Sequence, residues 1–304
     1  MSRPWNRSVD LRVSPQRVAA TLRQGWPRRE LVARAQRVAV PATADAARGD
    51  IDDDAVESVL RELDAICALK GARLNVGMSG ALIHFDVVAG DFAANTDRQL
   101  GEVAGACVAE LLGDAAADHE LRWQLQRDER HLLICALAQP SLSTLDAAAR
   151  ALGLRLASVQ PLFLRAWNDH GRKLPAGDSV FAVQGQAELT IASVRHGTIA
   201  NIVVGRAATP TVRAAEAAPA ARRRVALSPE SVSGPPATAA ARFAFAPAPA
   251  DSAARGLDTR VEALLAGLGR DAADQNAFVL VCAEGPPPLV SQRWRVIDAS
   301  EVSA

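Results

Sequence analysis

The side chains that could do chemistry in this sequence are few, and most stand alone. Asp50, Asp52 and Asp54 alternate like the ligands of a calcium loop. The glycine such a loop needs at its sixth place is Ala55, and the bidentate glutamate at its twelfth is Arg61. Lying just ahead of an apolar-periodic stretch, they read as capping acids at a helix start, where the helix dipole favours negative charge. Gly77-Met78-Ser79-Gly80 has the look of a nucleophile elbow, but its second glycine comes one place early and a strand pattern follows it instead of a helix. His84 and Asp86 lie two apart on one strand face, a spacing that could orient a base or supply two metal ligands, with no third ligand nearby in sequence. His119, His131, His170 and His196 are isolated among charged or turn residues. Arg222-Arg223-Arg224 could touch phosphate, but in a chain with 34 basic and 34 acidic residues its expected role is solubility.

Nucleotide chemistry of the phosphate-loop kind is excluded, because neither Lys70 nor Lys173, the two lysines present, sits in a glycine-rich frame followed by Ser or Thr. The four cysteines, at 67, 107, 135 and 282, are widely spaced in apolar surroundings and read as reduced, buried thiols of a cytoplasmic protein. Trp123 and Trp167 are expected to fill core or seam positions. No metal or cofactor is called for.

The elements that hold these residues follow from periodicity. Val9, Leu11 and Val13, then Arg17 to Arg23, then Leu31 to Val40 alternate with period two around turns at Ser14-Pro15-Gln16 and Gly25-Trp26-Pro27, predicting a three-stranded meander. Val56, Val59, Leu60, Leu63, Ile66 and Cys67 share one helix face. Leu74 to Met78 and Ala81 to Val88 flank Ser79-Gly80 and are expected to form a hairpin. A helix from Thr96 to Leu112, strands near Leu121 to Gln126 and His131 to Leu137, a helix from Ser141 to Leu152, a strand at Leu154 to Val159 and a helix opening on Pro161 follow. From Ser179 the meander pattern returns, through a His196-Gly197 turn, with nearly the spacing of the first, which points to internal duplication. Residues 206 to 255, rich in Ala and Pro and without apolar periodicity, read as a flexible linker. A helix at Leu257 to Leu268 and strands at Ala277 to Cys282 and Trp294 to Ile297 close the pattern.

A chain of 304 residues with 49% hydrophobic and 22% charged content is expected to bury a sizeable core; at this length roughly 75% of the unfolded surface is removed from water. Its balanced charge excludes a strongly basic nucleic-acid binder, and with no apolar run approaching 18 residues neither secretion nor membrane insertion is expected.

The element order resembles the actin-like ATPase superfold, most closely its pilus and secretion branch, that of the type IV pilus assembly protein PilM and the cytoplasmic part of the type II secretion protein GspL. Three stretches carry the resemblance: Val9 to Val18 with the Gly25 turn, Leu74 to Leu112, and Leu132 to Asn168 with Gly153-Leu154 and Ser158-Val159-Gln160-Pro161. It covers about residues 9 to 205. It implies an α+β, actin-like (RNase H-like) fold: a first lobe over 1–170 with an extra subdomain at about 74–126, a reduced second lobe over 171–205 and 256–298, and a linker at 206–255.

In nucleotide-binding members each phosphate loop carries Asp-x-Gly, the Asp holding the metal and its waters. The matching positions here are Arg12 and Ser14 in the first loop and Val183 and Gly185 in the second, so the resemblance implies a degenerate phosphate site. An arginine and a valine cannot hold magnesium. The implied function is a non-catalytic scaffold whose partners are the cytoplasmic tail of an inner-membrane pilus or secretion assembly protein and a secretion ATPase. The tail would dock between the first meander and the subdomain of Leu74 to Leu112, placing the protein in the cytoplasm, peripheral to the inner membrane. Two rivals stand beside it: an ATPase or kinase of the same fold in which Asp10 or Asp178 replaces the missing acids, and an unrelated α+β interaction module whose repeated meander is coincidental, a reading that one continuous sheet would favour.

Overall fold

The computed structural model describes residues 7–25, 30–39, 51–185, 188–206, 257–267, 277–282 and 294–298. Arg7–Ser14 (β1), Arg17–Gln24 (β2) and Glu30–Val38 (β3) form the first meander, with β1 and β2 joined by a two-residue turn. Ser14 fixes that turn locally: its Oγ donates to the Arg17 carbonyl at 2.9 Å and accepts from the Arg17 N–H at 3.1 Å. Asp53–Ile66 (α1) is capped by Asp52, whose Oδ1 accepts from the Ala55 N–H at 2.9 Å. Val56, Val59, Leu60 and Leu63 on its inner face are fully buried.

Arg73–Met78 (β4) then runs parallel to β1 and leads, through a short 3-10 turn at Gly80–Leu82, into Ile83–Ala89 (β5). Asp97–Leu112 (α2) follows, opened by a capping box of Thr96 and Gln99. His119–Leu125 (β6) and His131–Ala138 (β7) complete a small antiparallel sheet of order β5-β7-β6, with α2 packed on one face. Gln139–Ala151 (α3), Arg155–Pro161 (β8) and Leu162–His170 (α4) finish the first half, whose five-stranded sheet has the order β3-β2-β1-β4-β8.

The hairpin expected between Leu74–Met78 and Ala81–Val88 does not form. Both hydrogen-bonding edges of β4 are taken by parallel neighbours, β1 and β8, so β5 turns away and pairs with β7 instead. The inserted sheet accordingly runs over 83–138, with β4 in the main sheet and β7 in the insertion, unlike the boundaries of about 74–126 expected for the extra subdomain.

Asp178–Gln184 (β9), Glu188–Arg195 (β10) and Thr198–Arg206 (β11) repeat the meander. Leu257–Gly267 (α5), Ala277–Cys282 (β12) and Trp294–Asp298 (β13) complete the second half, with sheet order β11-β10-β9-β12-β13. Numbered within each half, both sheets read third, second, first, fourth, fifth, with the first three antiparallel and the last two parallel. The meanders therefore head two separate sheets, not the one continuous sheet that would have favoured an unrelated module. The linker expected over 206–255 lies outside the described residues, apart from Arg206 at the end of β11, and so do Asp50 and Arg222 to Arg224.

One core runs through both halves. Val9, Leu11, Leu60 and Leu145 of the first belong to the same buried cluster as Phe181, Val183, Ala192 and Val281 of the second. Aromatic rings form its seam. Phe163 of α4 stands 5.7 Å from Phe181 of β9 and 6.2 Å from Phe85 of the inserted sheet, and Trp167 stands 5.3 Å from Phe181, all edge-on. Trp167 thus fills a seam as expected, whereas Trp123 is 39% exposed and lies beside Gly101 of α2. A smaller core, on the other face of the second sheet, packs Val180, Ala182, Ile191 and Leu280 against Val261 and Leu265 of α5.

Candidate functional site

The place to look for chemistry in a duplicated fold of this kind is where the two hairpin turns meet. The registers make the turns equivalent. Ser14 pairs with Arg17 across the first, and the Gly185 N–H donates to the Glu188 carbonyl at 3.1 Å across the second. Counting back from the turns, Arg12 corresponds to Val183 and Asp10 to Phe181.

Ser79, at the end of β4, touches both turns. Its N–H donates to the Val13 carbonyl at 2.8 Å, one residue before the first turn, and its hydroxyl donates at 2.5 Å to a carboxylate oxygen of Glu188, the last residue of the second. The same carboxylate accepts from the Gly80 N–H at 2.8 Å and the Ala81 N–H at 2.6 Å. Glu188 is 7% exposed, so a buried carboxylate with three donors fills the junction between the two halves. Hydrogen bonds to a charged acceptor are about twice as strong as neutral ones, so an ionised Glu188 ties the halves together more firmly than a neutral acceptor there would.

Gly80 permits that approach: a Cβ there would stand 2.8 Å from Thr190 Oγ1 and 3.3 Å from a Val204 methyl of the second sheet. A second polar clamp lies further along. The Gln126 side chain donates to the Ile199 carbonyl at 2.7 Å and accepts from the Ile199 N–H at 2.8 Å, pairing the inserted sheet's hairpin with β11 as a strand would.

Of the four positions named from the sequence, Ser14 and Gly185 open the two turns. Arg12 is half-buried in β1, and Val183 is buried in the shared core at 3% exposure. Neither Arg12 nor Val183 offers a carboxylate, and among the described residues no group of three His, Cys, Asp or Glu could hold a metal ion. The candidate replacements are committed elsewhere. Asp10 is buried between Arg23, at 3.7 Å, and Arg165 of α4, at 3.3 Å, while Asp178 pairs with Arg195 at 3.9 Å at the far end of β9 from the turn.

Asp10 also borders a polar cavity of about 300 Å³ between the first sheet and α4, lined by Ser8, Asn75, Ser158, Gln160 and Asp169. Glu188 was missed in the sequence reading. The available signal was a lone acid opening the uncharged, mostly apolar run 189–194 of a strand, broken only by Thr190 and Ser193.

The other singled-out residues are structural. His84 stands 5.4 Å edge-on from His119, and Asp86 Oδ1 accepts from the Val87 N–H. Burial pushes the Cys135 thiol up to about 12, and burial, aided by Asp86 and Glu110, raises Cys107; both are protonated and poorly nucleophilic at neutral pH. Burial works to raise Asp128, but its hydrogen bond with His131 at 2.5 Å, with bonds from the Arg130 and His131 N–H groups, holds it below the usual carboxylate range. Burial first, then Lys173 and Arg295, hold His170 below its ordinary value against the pull of Asp169.

No protein-family model matches this sequence, and no curated protein matches it either. Solved structures do. The cytoplasmic domain of EpsL, an inner-membrane component of the type II secretion system of Vibrio cholerae, superposes with a TM-score of 0.51 at 10% identity, over 96% of this chain and 90% of that one. A PilM–PilN type IV pilus biogenesis complex gives a TM-score of 0.48 at 16% identity, over 65% and 60% of the two chains. A protein of unknown function with an actin-like ATPase fold from Bacteroides thetaiotaomicron gives 0.42 at 8% identity, over 68% and 73%. The whole-length likeness to the EpsL domain, together with the duplicated sheet order, shows the fold: this chain has the actin-like two-lobe architecture, its first lobe interrupted by a three-stranded sheet.

Proposed function

We propose that this chain is a non-catalytic actin-like scaffold that binds proteins in a bacterial inner-membrane assembly of the pilus or secretion type. The observation that carries the reading is the Glu188 carboxylate held by Ser79, Gly80 and Ala81 where the two hairpin turns converge. A triphosphate bridging the turns would bring its own negative charge against a carboxylate already desolvated there, and would have to displace it from three donors. Arg12 and Val183, at the metal-anchoring positions of the two turns, add no oxygen ligand for magnesium.

The partner side rests on fold-level likeness to the EpsL domain. The partners are the short cytoplasmic tail of an inner-membrane assembly protein, seated between the first meander and the inserted subdomain, and a secretion ATPase. The protein works in the cytoplasm, peripheral to the inner membrane through that tail. No helix among the described residues is long and apolar enough to cross a membrane.

Two measurements test the reading. Isothermal titration of the full chain with ATP and magnesium is expected to show no heat of binding; saturable binding in the micromolar range overturns the non-catalytic claim. A pull-down against the inner-membrane proteins encoded beside this gene is expected to retain one through its cytoplasmic tail. Failure to retain any removes the scaffold claim and leaves the fold untouched.

A further inference from the structure

The polar cavity of the first lobe is a place that the proposed function does not use. It lies against one face of three parallel neighbours, β1, β4 and β8, where a central parallel sheet ordinarily carries apolar side chains on both sides. The register sets Asp10 beside Asn75 and Asn75 beside Ser158 in one row, with Ser8 beside Arg73 in the next. The residues that alternate with them, Val9, Leu11 and Leu74, belong to the buried core on the other face. Val76 is the one apolar residue among the nine that line the cavity, and none of the nine is aromatic. With no ring to stack on and no apolar wall, the space suits neither a nucleobase nor an acyl chain.

Positive charge is in excess around it. Asp10 is already committed: its side chain, 10% exposed, lies 3.3 Å from Arg165 and 3.7 Å from Arg23. Arg73 is exposed at the rim and makes no hydrogen bond or ion pair among the described residues. Three guanidinium groups, of Arg23, Arg73 and Arg165, thus stand against two carboxylates, of Asp10 and Asp169. Asn75 Oδ1 accepts from the Ser158 hydroxyl at 3.2 Å, which leaves the Asn75 amide N–H groups as unfilled donors. Arg165 and Asp169 are one turn apart on α4, on the side away from Phe163 and Trp167, which hold the seam to β9. Leu162 of the same helix packs onto Gly77, where a Cβ would stand 2.6 Å from Leu162 Cδ2, two residues past Asn75 toward the turns. The cavity sits at the start of β1 and β4, and the junction at Glu188 beyond their far ends.

We propose that this cavity binds a small oxyanion, a carboxylate or phosphate group on a molecule that fits its volume of about 300 Å³, held between Arg73 of β4 and Arg165 of α4 with Asn75 donating to it. Guanidinium groups match such ligands because their planar fork donates two parallel bonds to a carboxylate or phosphate. Asp10 anchors Arg165 through one nitrogen and leaves its other N–H donors open. Arg73 supplies a charge that has no carboxylate of its own. Asp169, on the rim, opposes the anion, so the binding is moderate and is weakened by salt. A ligand bridging Arg73 and Arg165 ties α4 to the first sheet, and through Phe163 and Trp167 it steadies the seam with the second lobe.

Isothermal titration of the full chain with citrate, and separately with inorganic phosphate, tests this at fixed ionic strength and without magnesium. Saturable binding of at least one is expected, and the tighter of the two tells whether the site takes carboxylate or phosphate. Arg73→Ala, at an exposed residue outside any ion pair, should weaken that binding about tenfold or more. Arg73→Lys should recover only part of the loss, because it keeps the charge without the fork. Asp169→Asn should tighten binding by removing the opposing charge, and Arg98→Ala, which breaks an exposed pair with Glu102 on α2, should leave it unaltered. Unchanged thermal melting of Arg73→Ala guards against misfolding, and amide exchange along α4 should slow when the anion is bound. Failure of both probes to bind at millimolar concentration overturns the proposal, as does binding that Arg73→Ala leaves unchanged. Saturable binding of the dication putrescine in their place, weakened by Asp169→Asn, also overturns it, by assigning the cavity to its carboxylates. None of these outcomes bears on whether nucleotide binds at the junction.

Discussion

The two lobes share a strand order and differ in what that order encloses. In the first, the face of the sheet that carries Ser8, Asp10, Asn75 and Ser158 borders a polar cavity beneath α4, and the opposite face is packed under α1 and α3. In the second, both faces are buried: α5 covers Val180, Ala182 and Ile191, while Phe181, Val183 and Ala192 face the first lobe and the seam. The contrast is sharpest at equivalent positions, where Asp10 in β1 is held by two arginines and Phe181 in β9 by Phe163 and Trp167. One topology thus supports a sheet with a polar, cavity-lining face and a sheet apolar on both faces, according to which side chains alternate inward.

Breaking the second of these should cost most. Phe181→Ala removes a fully buried ring from the seam and is expected to destabilise by ~3–5 kcal/mol in guanidinium unfolding. A loss below ~1 kcal/mol would mean the seam repacks and the lobes are only loosely joined. Asp10→Asn, the matching change in the first lobe, should cost roughly 1–3 kcal/mol, because Arg165 keeps access to water while Arg23 loses a charged neighbour.

Glu188→Ala tests the junction itself. Removing the carboxylate from the Ser79 hydroxyl and the Gly80 N–H, and leaving the Ala81 N–H only its 3.3 Å bond to Ser79 Oγ, predicts a loss of ~2–4 kcal/mol, and faster amide exchange at Gly80. Glu188→Gln, which keeps one acceptor oxygen, should lose less, and equal losses would remove the charge from the argument. Asp52→Ala, confined to the start of α1, should cost ~1 kcal/mol with no change in exchange at Gly80.

The smallest effect is on pH. His170 is held below its ordinary value, so the folded state disfavours the protonated ring. Its contribution is complete above the unfolded value of ~6.5 and is lost as pH falls through the lower folded value. Asp128, also lowered, adds a loss in the same direction at more acid pH. Chemical unfolding at pH 7 and pH 5 should show stability falling, and His170→Gln should flatten that fall; stability rising toward pH 5 would contradict the assignment.

Much of the fold was legible in the chain. The helix expected from about Thr96 is α2, which starts at Asp97 behind its Thr96 cap, Asp52 caps α1 as expected of an acid ahead of a periodic run, and the two meanders stand in their own registers. The candidate site was legible only by what it lacks. Arg12 and Val183 could be matched to turn positions, while Glu188, which fills the junction, carried no local mark beyond being an acid at the head of a mostly apolar strand.

Side-chain alternation and capping are short-range, so sequence alone determined where strands and helices begin, which face of each is apolar, and that the pattern repeats. Which edge a strand pairs with is not written in its own residues. β4 and β5 flank a plausible turn, yet they separate, because β1 and β8, 60 and more residues away in sequence, take both edges of β4. The partners of Glu188 are likewise long-range, more than 100 residues off in the chain, and only the packing of the two lobes brought the carboxylate to the donors that hold it.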